Sequence, residues 1–292
     1  MAVAERALRG EFIAIGDGRR VHAVLAGPVA PPDPLVILEA GAFGFSADWA
    51  AVQAALAAAG FRSLAYDRAG LGRSDLGPSP RDGLNVVLDL EALLAALGEA
   101  GPLILCGHSM AGLHVRLFAL RNPARIVGLV LVDAATPEAT DSGLMSTAVD
   151  HFGHLAQAFA WGAGTGLFKP LAGMLGNPIG LEGSGADEKR WAFGDAGHNQ
   201  AAADEVKHWS QAARQAREAG ELNGDWPVAV VTAGGPDGAN PMKAFQIAPA
   251  EASRAGAVEH LAGASHATML NATYAPAIVR GVRHVRDHAR AL

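Results

Sequence analysis

The stretch Leu103-Ile104-Leu105-Cys106-Gly107-His108-Ser109-Met110-Ala111-Gly112 joins an unbroken apolar run to a segment of helical character. A short apolar run of this kind is typical of a strand that is buried on both faces of a sheet. Residues 113–120 read as a helix, so Ser109 falls on a sharp turn between strand and helix. Such a turn strains its central residue and needs small neighbours two positions away, which Gly107 and Ala111 supply. Ser109 is therefore a candidate nucleophile, and the start of the helix directs N–H groups towards it.

Similar apolar runs of strand length occur on both sides of this stretch, and amphipathic segments separate them. The alternation of strands and helices indicates an α/β fold with a mostly parallel central sheet and helices on both faces. The predicted strands cover residues 12–15, 21–25, 35–38, 61–66, 103–106, 126–132, 228–232 and 257–261. Helices are predicted over residues 49–59 and 86–97 and from about residue 274 to the end.

The alternation stops between residues 136 and 225, where the chain is rich in Ala and Gly and contains no convincing strand. Helical stretches are predicted there over residues 149–160 and 201–219. The simplest interpretation is one α/β core domain, residues 1–135 and 226–292, with residues 136–225 inserted as a helical cap.

The composition excludes several classes of function. Half of the 292 residues are apolar and the formal net charge is −6, which suits a folded globular chain. The basic residues form no cluster, which argues against nucleic acid as a partner. The single cysteine, Cys106, can form no internal disulfide, and neither it nor the histidines show the spacing of a zinc site.

The sequence also contains no signal for a membrane or for a cofactor. No apolar window is long enough to span a bilayer, and charges interrupt the N-terminal stretch where a signal peptide would be apolar. No glycine-rich loop occurs in a dinucleotide-binding context. We therefore expect a cytoplasmic protein without metal or organic cofactor and without membrane insertion; the oligomeric state stays open.

The chain resembles the α/β-hydrolase fold superfamily, specifically serine esterases and lipases with a helical cap. The resemblance extends along nearly its whole length outside residues 136–225. Residues 38–43, Leu-Glu-Ala-Gly-Ala-Phe, resemble the turn after the third strand that completes the family's oxyanion hole. The resemblance implies the backbone N–H groups of Ala42 and Met110 as donors. The Phe43 N–H is the alternative to that of Ala42. Residues 66–74, Tyr-Asp-Arg-Ala-Gly-Leu-Gly-Arg-Ser, resemble a further family motif, in which we interpret Asp67 and Arg68 as an internal support network.

The resemblance also implies the partners of the nucleophile, because a serine hydroxyl needs a base that an acid orients. In this family they follow in the order Ser, acid, His. His266 follows the last short strand and precedes the final helix, which is the family's base position. Asp237 lies in a Gly-x-x-Asp turn after strand 228–232 and is the favoured acid. Asp133, at the end of the strand before the cap, is the alternative.

The resemblance implies a serine hydrolase that cleaves small to medium apolar carboxylic esters through a Ser-His-Asp triad and an acyl-enzyme intermediate. Residues that would line an apolar pocket are Phe43, Phe45, Trp161 and Trp191. The nucleophile Ser109 argues against epoxide hydrolases and haloalkane dehalogenases, which use Asp at this turn. Lactone, thioester and amide hydrolysis and cofactor-free haloperoxidase chemistry stay open. A non-catalytic ligand receptor on the same fold is the alternative from another class of function.

Overall fold

The predicted strands form one eight-stranded sheet in the computed structural model, which describes residues 9–28, 34–235 and 242–289. The strands are β1 Glu11–Ala14, β2 Arg20–Ala26, β3 Leu35–Glu39, β4 Ser63–Tyr66, β5 Leu103–His108, β6 Ile126–Val132, β7 Val228–Ala233 and β8 Gly256–Leu261. Their order across the sheet is β1-β2-β4-β3-β5-β6-β7-β8. Strand β2 pairs antiparallel with β1 and β4, and the pairs from β4 to β8 are parallel. The α/β fold class predicted from the sequence is confirmed.

Helices cover both faces of the sheet. The α-helices of the described residues are α1 Ala50–Ala58, α2 Gly83–Ala96, α3 Ala111–Arg121, α4 Pro137–Asp141, α5 Gly143–Gly164, α6 Ala172–Leu175, α7 Gly183–Phe193, α8 Ala196–Lys207, α9 Trp209–Glu218, α10 Met242–Glu251 and α11 Ala275–Ala289. Side chains of α2, α3, α9 and α10 belong to the core on one face, and those of α1 and α11 to the core on the other.

The central strand β5 shows why residues 103–106 are all apolar. Leu103 and Leu105 point into the core on one face, while Ile104 and Cys106 point into the core on the other. Because successive strand residues face opposite sides, both sets of side chains in a strand covered on both sides are removed from water, which favours apolar residues at every position. Burial raises the pKa of the Cys106 thiol, which is completely buried.

Helices α4 to α9 lie between β6 and β7, and we refer to them as the helical insertion. The sequence predicts one helix over residues 201–219, but the structure contains two, α8 and α9, which are separated at His208. Helix α8 packs against α5, whereas α9 packs against α2 and α3 of the core. The alanine-rich pattern continues through the break, so local periodicity could not locate this change of direction.

Among the residues that the structure describes, no helix combines the length and apolar character that crossing a membrane would require.

Candidate active site

Ser109 follows directly after β5 and has a φ of +58°, in the left-handed region. Its N–H donates to the Val132 carbonyl at 3.1 Å and its carbonyl accepts from Ala135 at 2.8 Å, so the turn is fixed to the end of β6. The small residue two positions before Ser109 is required. A Cβ atom at Gly107 would lie 2.9 Å from the Val115 side chain and 3.0 Å from the Ala111 carbonyl oxygen. The structure therefore has the strained strand-to-helix turn that the sequence predicts.

Asp133 and His266 form a hydrogen-bonded pair at the same edge of the sheet. The distance from His266 Nδ1 to Asp133 Oδ2 is 2.6 Å. His266 lies in the loop after β8, and Asp133 is the first residue after β6, the strand that neighbours β5. Because Nδ1 is engaged by the carboxylate, Nε2 is the ring nitrogen that is free to accept a proton.

The carboxylate of Asp133 is held on both of its oxygens. Oδ1 accepts from the Ala233 N–H at 3.3 Å and from Gln246 Nε2 at 3.1 Å. Burial acts to raise the pKa of Asp133, but the hydrogen bonds from His266 and from Ala233 hold it below its ordinary value of 3.8. Asp133 is therefore ionised at neutral pH and suited to orient an imidazole.

The favoured acid of the sequence prediction, Asp237, lies outside the described residues. The alternative, Asp133, is the carboxylate that the structure brings to His266. The physical reason is the strand order: β6 lies beside β5, so the residue that ends β6 lies next to the turn that carries Ser109.

His108 supports the loop of His266. Its Nε2 is 3.0 Å from the His266 carbonyl oxygen, and the two rings lie 4.6 Å apart between centroids. Burial, together with the neighbouring His266, lowers the pKa of His108 to about 3, so the ring is neutral. A neutral ring that donates from Nε2 to a carbonyl serves to hold the loop.

Ser109 is half-buried and, within the parts of the chain that the structure describes, its hydroxyl is not hydrogen-bonded to His266. Hydrogen bonds between a nucleophile and its base are often long without substrate and shorten in the complex. The structure thus brings His266 and Asp133 into contact, and Ser109 follows His108, whose ring packs on His266.

The turn after β3 approaches the other side of Ser109. A Cβ atom at Gly41 would lie 2.8 Å from the Ser109 Cβ atom, so only glycine allows this approach. The next residue, Ala42, is half-buried, and Met110 follows Ser109. In the described structure neither the Ala42 nor the Met110 N–H donates a hydrogen bond to another protein group. Both donors that the sequence predicts are therefore unused by the protein itself.

Backbone strain is concentrated at this site. Among the described residues, the non-glycine residues with positive φ are Phe43 at 57°, Ser109 at 58° and Asp133 at 44°. Each conformation of this kind costs of order 1–3 kcal/mol and persists where the surroundings enforce it. All three residues belong to the predicted site or lie next to it.

An apolar cavity of about 310 Å³ opens beside Phe43. Helices α5, α7 and α8 of the insertion form most of its wall. Its aromatic lining residues are Phe43, Phe152, Phe159 and Phe193, and its polar lining residues are Lys189, His198 and Asn199. The volume is at the lower end of the range for small-molecule sites.

Of the four residues predicted to line an apolar pocket, Phe43 is the one that lines this cavity. Phe43 lines the cavity, whereas Phe45 is 2% exposed and belongs to a buried cluster. Trp161, on α5, is 75% exposed, and Trp191, on α7, lies under the guanidinium of Arg73 at 4.9 Å. Composition identified the aromatic residues of the insertion but not the helix face on which each one lies.

The sequence reasoning missed several residues around the site. Gln246 contacts the Asp133 carboxylate, and Lys189 donates to the Phe43 carbonyl. Neither belongs to a local motif, so no signal in the chain indicated them. Among the residues described, no group of His, Cys, Asp and Glu side chains could hold a metal ion.

Residues 34–272 match the family model described as alpha/beta hydrolase fold. A relative in Hormonema carpetanum named "Probable transporter efuK" is 38% identical over 122 residues, which are 40% of this chain and 17% of the relative. The rice (Oryza sativa subsp. japonica) "Esterase PIR7B" is 41% identical over 93 residues, 30% of this chain and 34% of the relative.

A solved structure with the same architecture is the enol-lactonase from Burkholderia xenovorans LB400, with a TM-score of 0.65 and 21% identity. That comparison covers 94% of this chain and 99% of the lactonase. The matched segments span only 17% to 37% of the length of three curated relatives. The family match covers most of the chain: the chain belongs to the alpha/beta hydrolase fold family.

Proposed function

We propose that this protein is a serine hydrolase that cleaves carboxylic esters with an apolar acyl or alcohol group. The observation that carries the proposal is the 2.6 Å hydrogen bond between His266 and Asp133 beside a serine held at a φ of +58°. A serine on such a turn, a base and an ionised acid are the parts that acyl transfer requires. The proposed triad is Ser109, His266 and Asp133.

In the proposed mechanism, Nε2 of His266 takes the proton of the Ser109 hydroxyl as the oxygen attacks the ester carbonyl. Asp133 accepts from Nδ1 and stabilises the imidazolium that forms. The oxyanion of the tetrahedral intermediate accepts hydrogen bonds from the N–H groups of Ala42 and Met110. His266 then returns the proton to the leaving alcohol, and a water molecule activated by the same ring releases the acid.

The apolar cavity supports an apolar substrate. It begins at Phe43, the residue after the proposed donor Ala42, and phenylalanine rings form much of its wall. An apolar group of the ester that enters this cavity is removed from water, which favours binding by roughly 25 cal/mol per Å² of apolar surface. The helical insertion is, in this proposal, a cap that lines the substrate site.

The test is hydrolysis of p-nitrophenyl acetate, butyrate and octanoate by the wild type and by Ser109→Ala, His266→Ala and His288→Ala. We expect both site variants to lose about 10⁴-fold or more in kcat. His288 is exposed near the end of α11, so its variant serves as the matched histidine control. Full activity of Ser109→Ala would contradict the assignment of Ser109 as the nucleophile. A folded wild type that hydrolyses none of the three esters would exclude the general esterase and favour a specialised hydrolase, a haloperoxidase or a receptor.

A further inference from the structure

The turn after β3, residues 40–44, is held by its carbonyl oxygens. The Ala40 carbonyl accepts from Arg68 Nη1, and the Gly41 carbonyl accepts from Arg68 Nη2 at 2.9 Å. The Phe43 carbonyl accepts from Lys189 Nζ at 3.3 Å. Charged side chains thus bind three of the carbonyl groups in this turn, and the Gly41 carbonyl also accepts from the Gly44 N–H at 3.1 Å.

The Gly41 carbonyl matters most, because it shares its peptide unit with the Ala42 N–H. In a trans peptide the C=O and the N–H point in opposite directions and lie in one plane. By binding the Gly41 carbonyl on one side, Arg68 directs the Ala42 N–H to the other side. Ala42 is the proposed oxyanion donor, so the orientation of this one peptide affects the transition state.

Arg68 is itself fixed by two buried carboxylates. Its guanidinium is 2% exposed and has five N–H donors. Two bind the Ala40 and Gly41 carbonyls, one binds Glu39 at 2.7 Å, and two bind Glu205, from Nη2 at 2.7 Å and from Nε at 3.0 Å. All five donors are used, so the position of the guanidinium depends on each of its acceptors.

Glu205 comes from a distant part of the chain. It lies on α8 of the helical insertion, 137 residues from Arg68 in sequence, and it is 2% exposed. Two of the five donors of Arg68 therefore depend on the insertion being in place. Without Glu205, the guanidinium would keep its contacts to Glu39 and to the turn but would lose the partner that fixes its other edge.

We propose that Glu205, acting through Arg68, is a positioning residue that aligns the Ala42 N–H, so that packing of the helical insertion completes the oxyanion hole. The proposal rests on the proposed function, since it requires Ala42 to be an oxyanion donor. It assigns to the insertion a role in the rate of the chemical step, in addition to lining the cavity.

The chain offers a matched control in Glu188. This residue lies on α7 of the same insertion, is 8% exposed, and binds Arg9 through Nε and Nη2, as Glu205 binds Arg68. The Arg9 pair has no hydrogen bond to the turn after β3 in the described structure. Glu205→Gln and Glu188→Gln therefore each remove a carboxylate that binds an arginine through Nε and Nη2, the Arg9 pair being partly exposed, and only the first is connected to Ala42.

The experiment measures kcat and KM for p-nitrophenyl butyrate, inhibition by butylboronic acid and the melting temperature of wild type, Glu205→Gln and Glu188→Gln. A boronic acid forms a tetrahedral adduct with a nucleophilic serine and places an oxygen in the oxyanion hole. We expect Glu205→Gln to lower kcat by about 10- to 100-fold, to raise the boronate Ki by a similar factor and to change KM by less than about threefold. Glu188→Gln should leave kcat and Ki within about threefold of wild type, whatever its melting temperature.

The inference is overturned if both variants lose thermal stability while kcat and Ki stay close to wild type. Should Glu205→Gln fail to fold, Glu205→Asp keeps the charge and withdraws the carboxylate by one methylene. In that variant kcat and Ki must again move together, and a folded variant with both values unchanged contradicts the inference. Loss of the proposed function itself is distinguishable, because the wild type would then be inactive or Ser109→Ala would stay active.

Discussion

Asp133 is the first residue after β6 and combines a φ of 44° with a carboxylate bonded to His266, Ala233 and Gln246. The left-handed conformation is unfavourable for a residue with a Cβ atom. Its N–H donates to the Val231 carbonyl at 2.7 Å, which fixes the backbone from the next strand. The strain is thus compensated by contacts to β7 and to the loop of the base.

These contacts predict that Asp133, rather than Asp237, is required for turnover. We expect Asp133→Asn to reduce kcat for p-nitrophenyl butyrate by about 10⁴-fold, because the amide cannot hold the required tautomer of His266. Asp237→Asn should keep kcat within about threefold. Steady-state kinetics of the two variants, with circular dichroism to verify folding, decide between them. A large loss in Asp237→Asn alone would return the acid role to the residue that the sequence favoured.

At the scale of elements, a buried ion pair joins β2 to the segment after β4. His22 Nδ1 lies 3.0 Å from Asp67 Oδ2, and both side chains are 1% exposed. Asp67 also accepts from the backbone N–H groups of Ser46 and Arg73, each at 2.9 Å. The support role predicted for Asp67 and Arg68 agrees with these contacts, since both are buried and fully engaged.

The pair should make stability depend on pH. Burial acts to lower the pKa of His22, but the hydrogen bond and charge of Asp67 hold it above 6.5. Burial acts to raise the pKa of Asp67, yet His22 and the backbone donors hold it below 3.8. The histidine therefore stabilises the fold below pH 6.5 and loses this effect as the pH rises through its raised pKa; the aspartate stabilises above pH 3.8 and loses its effect as the pH falls.

We expect His22→Asn to lower the free energy of unfolding by about 3–5 kcal/mol near pH 5 and by less near pH 8. Urea denaturation of wild type and variant at both pH values measures the difference. His288→Asn, an exposed substitution, is the control and should show no such dependence. A difference that is equal at the two pH values would mean that the pair is not charged in the folded protein.

The packing of the insertion helices predicts a preference for the acyl chain length of the ester. Phe159 of α5 packs against Phe43, Phe168 and Phe193, with ring centroids 6.0, 4.4 and 5.4 Å apart. Phe159→Ala should lower kcat/KM for p-nitrophenyl octanoate by roughly tenfold and leave the acetate value nearly unchanged, because only a long chain reaches the lost apolar contacts. Leu167→Ala, at a residue that is 63% exposed, is the control. Equal losses on both esters would show that the cavity does not hold the acyl chain.

At the scale of the whole molecule, the single cysteine reports on global unfolding. Cys106 lies in the central strand β5, is completely buried, and has its thiol pKa raised by burial. Reaction with dithionitrobenzoate should be at least about 10³-fold slower in the native protein than in urea, because exposure of this strand requires the sheet to open. Labelling at the unfolded rate under native conditions would show that β5 opens locally, without global unfolding.

The sequence by itself determined the parts that depend on local pattern. The central strands β3 to β7 were predicted because strands covered on both faces are apolar along most of their length, as residues 103–106 of β5 show. The outer strands β1 and β8 are partly exposed and were predicted from shorter apolar runs. The turn at Ser109 was predictable because strain at one residue demands small residues at fixed offsets, which can be read directly from the chain. The choice of His266 came from the family resemblance, because it lies after the last strand, where the family has its base.

Only the tertiary structure decided which distant groups meet. The sequence favoured Asp237 as the acid, and the packing of β6 beside β5 brought Asp133 to His266. Glu205 and Arg68 are 137 residues apart, and their contact depends on where α8 packs after the break at His208. Backbone periodicity is a local property, whereas such pairings depend on strand order and on the directions of the helices, which no local pattern encodes.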